Sequence, residues 1–392
     1  MDDPERGVAT GEGLGRRAFL TGLAAVPIAL SARGLAARAG EAGPGMVVRE
    51  QEPQNLESPF SFLEGFLTPV DQFYVRNHFP VPELTAETWA LEVGGAVERP
   101  FRISYQELRG MTARTTPATL ECAGNGRVFL APKEKGAQWG QGAVGNAEWT
   151  GVPLSALLER AGVRPGAVEV VFEGADQGEL KDDPKSPGPI RFARSLPMAK
   201  VRGDTILLAH KMNGAALTPA HGFPVRAVVP GWYGMASVKW LAKVTVADRP
   251  FLGFFQSLDY THWERQGGQP SLVPIGELQV KAQVARPALK EVVAAGRPYL
   301  VRGAAWTGEA EIAGVEVSTD GGRSWSAARL AGEPIRHAWR LWEFSWEDPR
   351  PGSTTIMARA VDSLGHWQPT RRDRDRRNYM ISHVVPVAVE VR

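Results

Sequence analysis

The chain has 392 residues, 43% of them hydrophobic and 22% charged, enough apolar material for two or three domains with real cores. Its 45 Lys and Arg against 43 Asp and Glu exclude the one-signed surface of a nucleic-acid binder. A single cysteine excludes an intramolecular disulfide, a Cys-x-x-Cys-His haem attachment, and cysteine clusters for zinc or iron–sulfur.

The first forty residues read as an address. Arg16-Arg17 stand directly before the apolar run Ala18–Leu30, and Ala37-Arg38-Ala39 offers a small-residue cleavage site. Thirteen mostly apolar residues are too few to cross a bilayer, which takes about 20. The paired arginines followed by Phe19-Leu20 predict a twin-arginine signal over 1–39, and so export of the folded protein to the periplasm. An ordinary secretory signal or an uncleaved anchor is the alternative.

Residues 40–58 read as a flexible polar lead-in. From there Trp89–Val93 alternates like a strand, Glu98-Arg99-Pro100 makes a turn, and Val152–Arg160 has helical spacing that stops at Gly162. Val168–Phe172, Thr205–Ala209 and Val225–Val229 are short apolar strands, and Lys181–Pro189 is a charged, proline-rich loop. Gly267–Ile275 reads as a domain boundary. Beyond it Ile312–Ser318, Asp320-Gly321-Gly322 and Ser324–Leu330 predict a hairpin, with further strands at Trp339–Trp346 and Thr355–Val361. About 110 residues of this kind suggest an immunoglobulin-like sandwich. Arg371–Arg377, of mixed charge, reads as a solvated turn.

The lone Cys122 ends an apolar stretch before Gly124-Asn125-Gly126-Arg127. A thiolate at neutral pH needs positive surroundings or a metal, and a glycine-rich turn carrying an arginine fits that need. Alone this is a weak signal, since a single cysteine is commonly a small buried hydrophobe.

Six ordered segments make it specific. Phe73–Pro82 with Arg76-Asn77-His78, Leu120–Asn125 with Cys122, Phe172–Asp176, His221–Arg226, Gly234–Leu241 and Gly253–Tyr260 resemble, in order, the segments of the sulfite oxidase family. Lys135-Gly136-Ala137-Gln138-Trp139 is similar to a stretch beside that family's substrate pocket. The resemblance implies an α+β chain: a mixed α/β molybdopterin-binding catalytic domain over 59–270, then an all-β immunoglobulin-like dimerisation domain over 271–392 that makes a homodimer. It implies a molybdenum–molybdopterin cofactor with Cys122 as the protein's metal ligand.

By the same resemblance Arg76, Cys122, Arg127 and Tyr260 are the catalytic set. Asn77, His78, Asp176, His221, Arg226, Ser237 and Lys239 hold the pterin and its phosphate. Arg76 and Arg127 make a cationic pocket for an oxyanion, Trp139 walls it or belongs to the core, and Lys135 adds charge at the entrance or is simply exposed. Arg226 and Lys239, set in apolar strands, are costly to bury without an anion to pair with. Met380 stands where sulfite oxidases commonly place an anion-binding arginine, as in the family's nitrate reductase branch, whereas Tyr260 leans toward sulfite. The expected reaction is oxygen-atom transfer that converts sulfite to sulfate. With no haem or flavin module, electrons pass to a separate acceptor such as a c-type cytochrome. Reduction of nitrate or a sulfoxide, action on protein-bound sulfur, and a cofactor-free periplasmic binding protein are the alternatives.

Overall fold

A computed structural model describes residues 43–392; the predicted signal at 1–39 lies outside the described residues. Residues 47–57 of the expected flexible lead-in are instead built into the fold. Strands β1 (Val47–Glu50) and β2 (Asn55–Glu57) form an antiparallel hairpin whose Asn55, Leu56 and Glu57 are buried. The anchor is polar. The Glu57 carboxylate accepts the backbone N–H groups of Gly140 and Gly142 at 2.7 and 2.8 Å and an Arg49 N–H at 2.6 Å. A buried carboxylate with three donors is tightly held, although its composition reads as polar linker.

The next region runs β3 (Ala90–Gly95), β4 (Phe101–Ser104), α1 (Tyr105–Gly110), β5 (Arg114–Glu121), β6 (Val144–Pro153), α2 (Leu154–Ala161), β7 (Glu169–Gly178), β8 (Ile190–Pro197), β9 (Leu207–Met212), β10 (Ala215–Ala216), β11 (Arg226–Val228) and β12 (Leu241–Ala247). These strands sort into two five-stranded sheets. One has the order β4-β3-β12-β7-β8, with β12 parallel to β3; the other runs β10-β9-β6-β5 with β11 beside β9. Helix α1 starts at a capping box, in which the Ser104 side chain and the Glu107 carboxylate satisfy each other's backbone N–H. Helix α2 follows Pro153, buries Leu154, Leu157, Leu158 and Ala161 on one face, and ends at Gly162 with φ 69°. That is the helix the spacing predicts.

The stretch expected as a boundary, Gly267–Ile275, holds the turn and return strand of a second hairpin, β13 (Thr261–Gln266) with β14 (Gln269–Pro274). Gly267 and Gly268 take φ 58° and 82°, the two positive-φ positions of a tight two-residue turn.

Beyond it lie β15 (Lys281–Arg286), β16 (Val292–Val293), β17 (Tyr299–Trp306), β18 (Ile312–Ser318), β19 (Ser326–Ala327), β20 (Arg329–Leu330), β21 (Arg340–Trp346), β22 (Gly352–Asp362) and β23 (Val387–Val391). Sheets β15-β17-β21-β20 and β16-β23-β22-β18-β19 share a core of Val284, Val301, Val315, Val317, Trp342 and Ile356, which makes the expected sandwich. The return arm of the predicted hairpin divides: β19 pairs with β18, whereas β20 crosses to β21. Arg372 is no solvated turn residue. Its guanidinium donates to the carbonyls of Tyr379 and Met380 at 2.6 and 2.9 Å and ties that loop to itself. No helix among the described residues is long and apolar enough to cross a membrane.

Candidate active site

A cavity of about 650 Å³, its mouth included, opens between the segment after residue 72, the end of β5, and the loops before β11 and β12. Arg76, Asn77, His78, Cys122, Asp176, His221, Arg226, Ser237, Lys239 and Tyr260 all line it. Residues spread over 184 positions of sequence thus converge on one space.

Cys122 sits where β5 ends. Its N–H donates to Ala143 O at 2.9 Å and its carbonyl accepts the Asn125 N–H at 2.9 Å, so the turn that presents the thiol is fixed on both sides. Burial pushes the thiol's pKa up, and the charges of Arg76 and Arg127 oppose that shift. A cation or a metal is what makes the thiolate available here.

Three cations face the same space. Arg226 is buried on β11 and donates to the carbonyls of His221, Ser237 and Ala227 at 3.1, 2.9 and 3.3 Å, with its guanidinium 4.9 Å above the Trp149 ring. Burial holds its pKa down to about 10. Lys239 donates to Ala220 O at 2.8 Å and to the Asn77 side-chain oxygen; burial and then the Arg226 charge hold its pKa well below the usual lysine value. Arg76 donates to Asn77 O. Asp176 is the carboxylate among them, and burial raises it to about 7 against the pull of Lys239. Lys239 is not on a strand, as expected, but in the bend before β12, next to Trp240 at φ 50°.

The β1–β2 hairpin completes the wall. Asn77 receives its orientation from that hairpin: its N–H donates to Asn55 Oδ1 at 2.6 Å and its Nδ2 to Gln54 O at 2.9 Å. His221 donates Nε2–H to Val70 O at 3.1 Å, and burial followed by the charges of Lys239 and Arg226 lowers its pKa to about 3, so the ring is neutral. Ser237 Oγ accepts the Val229 N–H at 3.0 Å.

Tyr260 follows a five-residue π-helical turn, Phe255–Asp259, a distortion that occurs mostly at functional sites. Its hydroxyl lies 2.7 Å from His78 Nε2. Burial, then the charge of Arg76, lowers the His78 pKa well below its usual value, and either atom of the pair donates according to the ring's tautomer. Phe192 stacks on the other side of His78 at 4.4 Å.

Two expected residues are elsewhere. Arg127 does not line the cavity. It is buried behind the wall and donates to Ala137 O and Asn378 O at 2.9 and 3.0 Å, with its guanidinium 5.0 Å from the Tyr379 ring. A Cβ on Gly124 would come within 2.4 Å of that guanidinium, and one on Gly136 within 2.6 Å, so the glycines make room for it. Tyr379 in turn packs 4.8 Å from Tyr260 and donates to Asp259 Oδ1 at 2.6 Å. Met380 is also off the wall. Its N–H donates to Ala123 O at 2.7 Å and its side chain borders a different cleft, beside Arg372 and His383. Trp139 belongs to the core around Cys122 and Ala137, and Lys135 is exposed with Nζ 3.4 Å from Asp183 O. Sequence reasoning missed Tyr74 and Phe192 as cavity walls, because buried aromatics in apolar runs read as ordinary core.

The residues that line the cavity fit an anionic cofactor that carries a thiolate-binding metal. One buried thiol suits such a metal. Three largely enclosed cations whose hydrogen bonds go to carbonyl and amide oxygens suit a phosphate. Family models agree: residues 78–255 match the oxidoreductase molybdopterin binding domain and residues 273–390 the Mo-co oxidoreductase dimerisation domain. The fold and cavity therefore define a molybdopterin-dependent oxidoreductase.

Chicken (Gallus gallus) sulfite oxidase is 37% identical over 346 residues, which cover 83% of this chain and 73% of that one. Human mitochondrial sulfite oxidase is 35% identical across 83% of this chain and 62% of its own length. The NADH nitrate reductase of Cichorium intybus is 34% identical across 84% of this chain and 39% of its own. The chain thus spans less than two thirds of the latter two. Among solved structures, the sulfane dehydrogenase SoxCD of Paracoccus pantotrophus superposes with a TM-score of 0.75 at 30% identity, covering 88% of this chain and 86% of that one. The chain belongs to the sulfite oxidase family.

Proposed function

We propose that the chain oxidises sulfite to sulfate, with Cys122 as the protein's ligand to molybdenum. The observation that carries this reading is the convergence of that one buried thiol, Arg76 and the Tyr260 hydroxyl on a single cationic cavity. Arg226, Lys239, His221 and Ser237 would hold the pterin and its phosphate, and Asn77 and Asp176 would hydrogen-bond it. When bound, the cofactor supplies the two-electron change and the oxygen-atom transfer.

The chain's own residues bind and orient. The Arg76 guanidinium attracts the oxyanion, and Tyr260 swings its O–H donor from His78 Nε2 to a substrate oxygen. With Nε2 unprotonated, His78 would accept that O–H bond before substrate binds, and burial, which lowers its pKa, works against a charge on the ring. Arg127 acts from behind, through its field on Cys122 and its contact with Tyr379. Electrons leave to a separate acceptor, for which a c-type cytochrome is our choice. Export to the periplasm through a twin-arginine signal and a homodimer through the β-sandwich complete the proposal.

Similarity to a sulfane dehydrogenase supports a second reading, in which the substrate is a sulfane sulfur rather than free sulfite. Steady-state assays of the molybdenum-loaded chain with sulfite, nitrate, methionine sulfoxide and a persulfide-bearing protein separate these. Turnover with sulfite and ferricytochrome c is expected. Turnover of any other substrate with none on sulfite overturns the first reading.

A further inference from the structure

Strand β15 is buried on both faces, yet only one of them is apolar. Ala282 and Val284 point into the sandwich core, whereas Lys281 and Gln283, 2% and 3% exposed, point away from it toward the turn that carries Cys122. Lys281 Nζ donates to Glu121 Oε1 at 2.8 Å. The same oxygen accepts Asn125 Nδ2–H at 3.0 Å, and the other accepts Trp306 Nε1–H, from β17, at 2.9 Å. Asn125 Oδ1 accepts the Ala143 N–H at 3.1 Å, and Ala143 O holds the Cys122 N–H. A further backbone bond, Met380 N–H to Ala123 O, also comes from the C-terminal part of the chain.

We propose that Lys281 is a positioning residue for Cys122: by holding Glu121, it lets the β-sandwich set the orientation of the turn that presents the thiol. A buried ion pair is a poor way to gain stability, because desolvation offsets most of the attraction and an apolar pair of similar volume does as well or better. Such a pair does impose one geometry, since each partner's hydrogen bonds are satisfied in only one arrangement. Glu121 sits one residue before Cys122, and every donor to its carboxylate comes from the turn itself or from the sandwich. Outer partners of this kind orient the groups that bind a metal.

The inference rests on Cys122 as metal ligand, and the experiment separates the two. Full-length, cofactor-loaded Lys281→Met, Lys281→Arg, Lys281→Met/Glu121→Gln and Cys122→Ser are compared by thiolate-to-molybdenum charge-transfer absorption, molybdenum content, thermal midpoint and sulfite kinetics. Lys281→Met is expected to shift and weaken the band and lower kcat at least tenfold, with KM within twofold. Lys281→Arg keeps the charge and should restore most of both. The double variant removes the stranded carboxylate, so it should regain the wild-type midpoint while its band stays displaced. If Lys281→Met leaves the band in place, or if the double variant regains midpoint and band together, Lys281 only buttresses the fold and the proposal is overturned. A band that survives in Cys122→Ser takes down the ligand reading, and this proposal with it.

Discussion

His221 should make the cofactor-free protein acid-labile, by an amount the cavity sets. Its folded pKa is lowered from 6.5 to about 3, first by burial and then by the charges of Lys239 and Arg226. With the folded value depressed, the unfolded chain binds the extra proton, so stability is complete above pH 6.5 and falls as pH drops toward 3. Each pH unit inside that window is worth about 1.4 kcal/mol. From pH 6.5, where the unfolded histidine is already half protonated, to pH 4.5 the loss is about 2 kcal/mol, or a fall of roughly 4 °C in thermal midpoint at about 2 °C per kcal/mol for a chain of this size. His221→Gln keeps a donor for Val70 O and removes the titration. His78 adds to the same slope, and Asp176, raised to about 7, opposes it, so the quantity to read is the difference between wild type and variant. Differential scanning calorimetry of both apo proteins between pH 4 and 8 gives it. The curves should converge near pH 7 and separate below 6.5, and loading the anionic cofactor should shrink the gap by partnering Lys239 and Arg226. Parallel curves would refute the claim that His221 is neutral because of its burial among cations.

Arg76→Gln should raise KM for sulfite more than tenfold, since removing one charge-assisted contact from a desolvated site costs about 2–5 kcal/mol; molybdenum content by plasma emission should stay near that of wild type. Arg127→Met should act instead on kcat, with a KM change under threefold, because its guanidinium contacts Tyr379 and backbone carbonyls rather than the cavity. Tyr260→Phe keeps the ring on Tyr379 and loses the donor, so turnover should fall while the metal is retained; unchanged kcat and KM would remove the hydroxyl from the reaction. Met380→Arg should leave sulfite affinity unaltered, because Met380 borders another cleft. Glu57→Gln should lower the thermal midpoint by weakening the bonds to Gly140 and Gly142 that hold the hairpin carrying Asn55, a shift visible by scanning fluorimetry.

The cofactor cavity was legible from sequence where chemistry forces a residue type at a place. Arg226, between apolar neighbours, is expensive to bury without an anion, whereas Arg76, Asn77, His78 and Cys122 were placed by the resemblance to the sulfite oxidase family; all line the cavity. Helix α2 was legible for a simpler reason, the spacing of Leu154, Leu157 and Leu158 ahead of a positive-φ glycine. What stayed hidden depends on distant partners. Residues 47–57 look like polar linker, and only the backbone N–H groups of Gly140 and Gly142, more than eighty positions on, make Glu57 a core residue. Gly267-Gly268 carried the signal of a two-residue hairpin turn, but a glycine pair between polar residues reads equally well as a boundary. Lys281 resembles any lysine at a strand's start until Glu121 is placed against it.

The same contrast explains why the cofactor is better defined than the substrate. On the proposed reading the large, anionic pterin is matched by several buried cations and by Asn77, an amide held by the β1–β2 hairpin, a set costly to bury for packing alone. A small oxyanion needs two or three donors, and here Arg127 and Met380, which a linear motif puts beside it, are turned elsewhere by Gly124, Gly136 and the Arg372-bound loop. On the proposed reading, substrate choice therefore falls to Arg76 and Tyr260, and to how firmly the neighbouring elements hold them. Tyr260 is fixed by Tyr379 and Asp259, Arg76 by its neighbour Asn77 and through it by Asn55. If Arg76 and Tyr260 hold the anion as proposed, specificity among sulfur and nitrogen oxyanions is a property of the hairpin at 47–57 and the loop at 372–380 as much as of those two side chains.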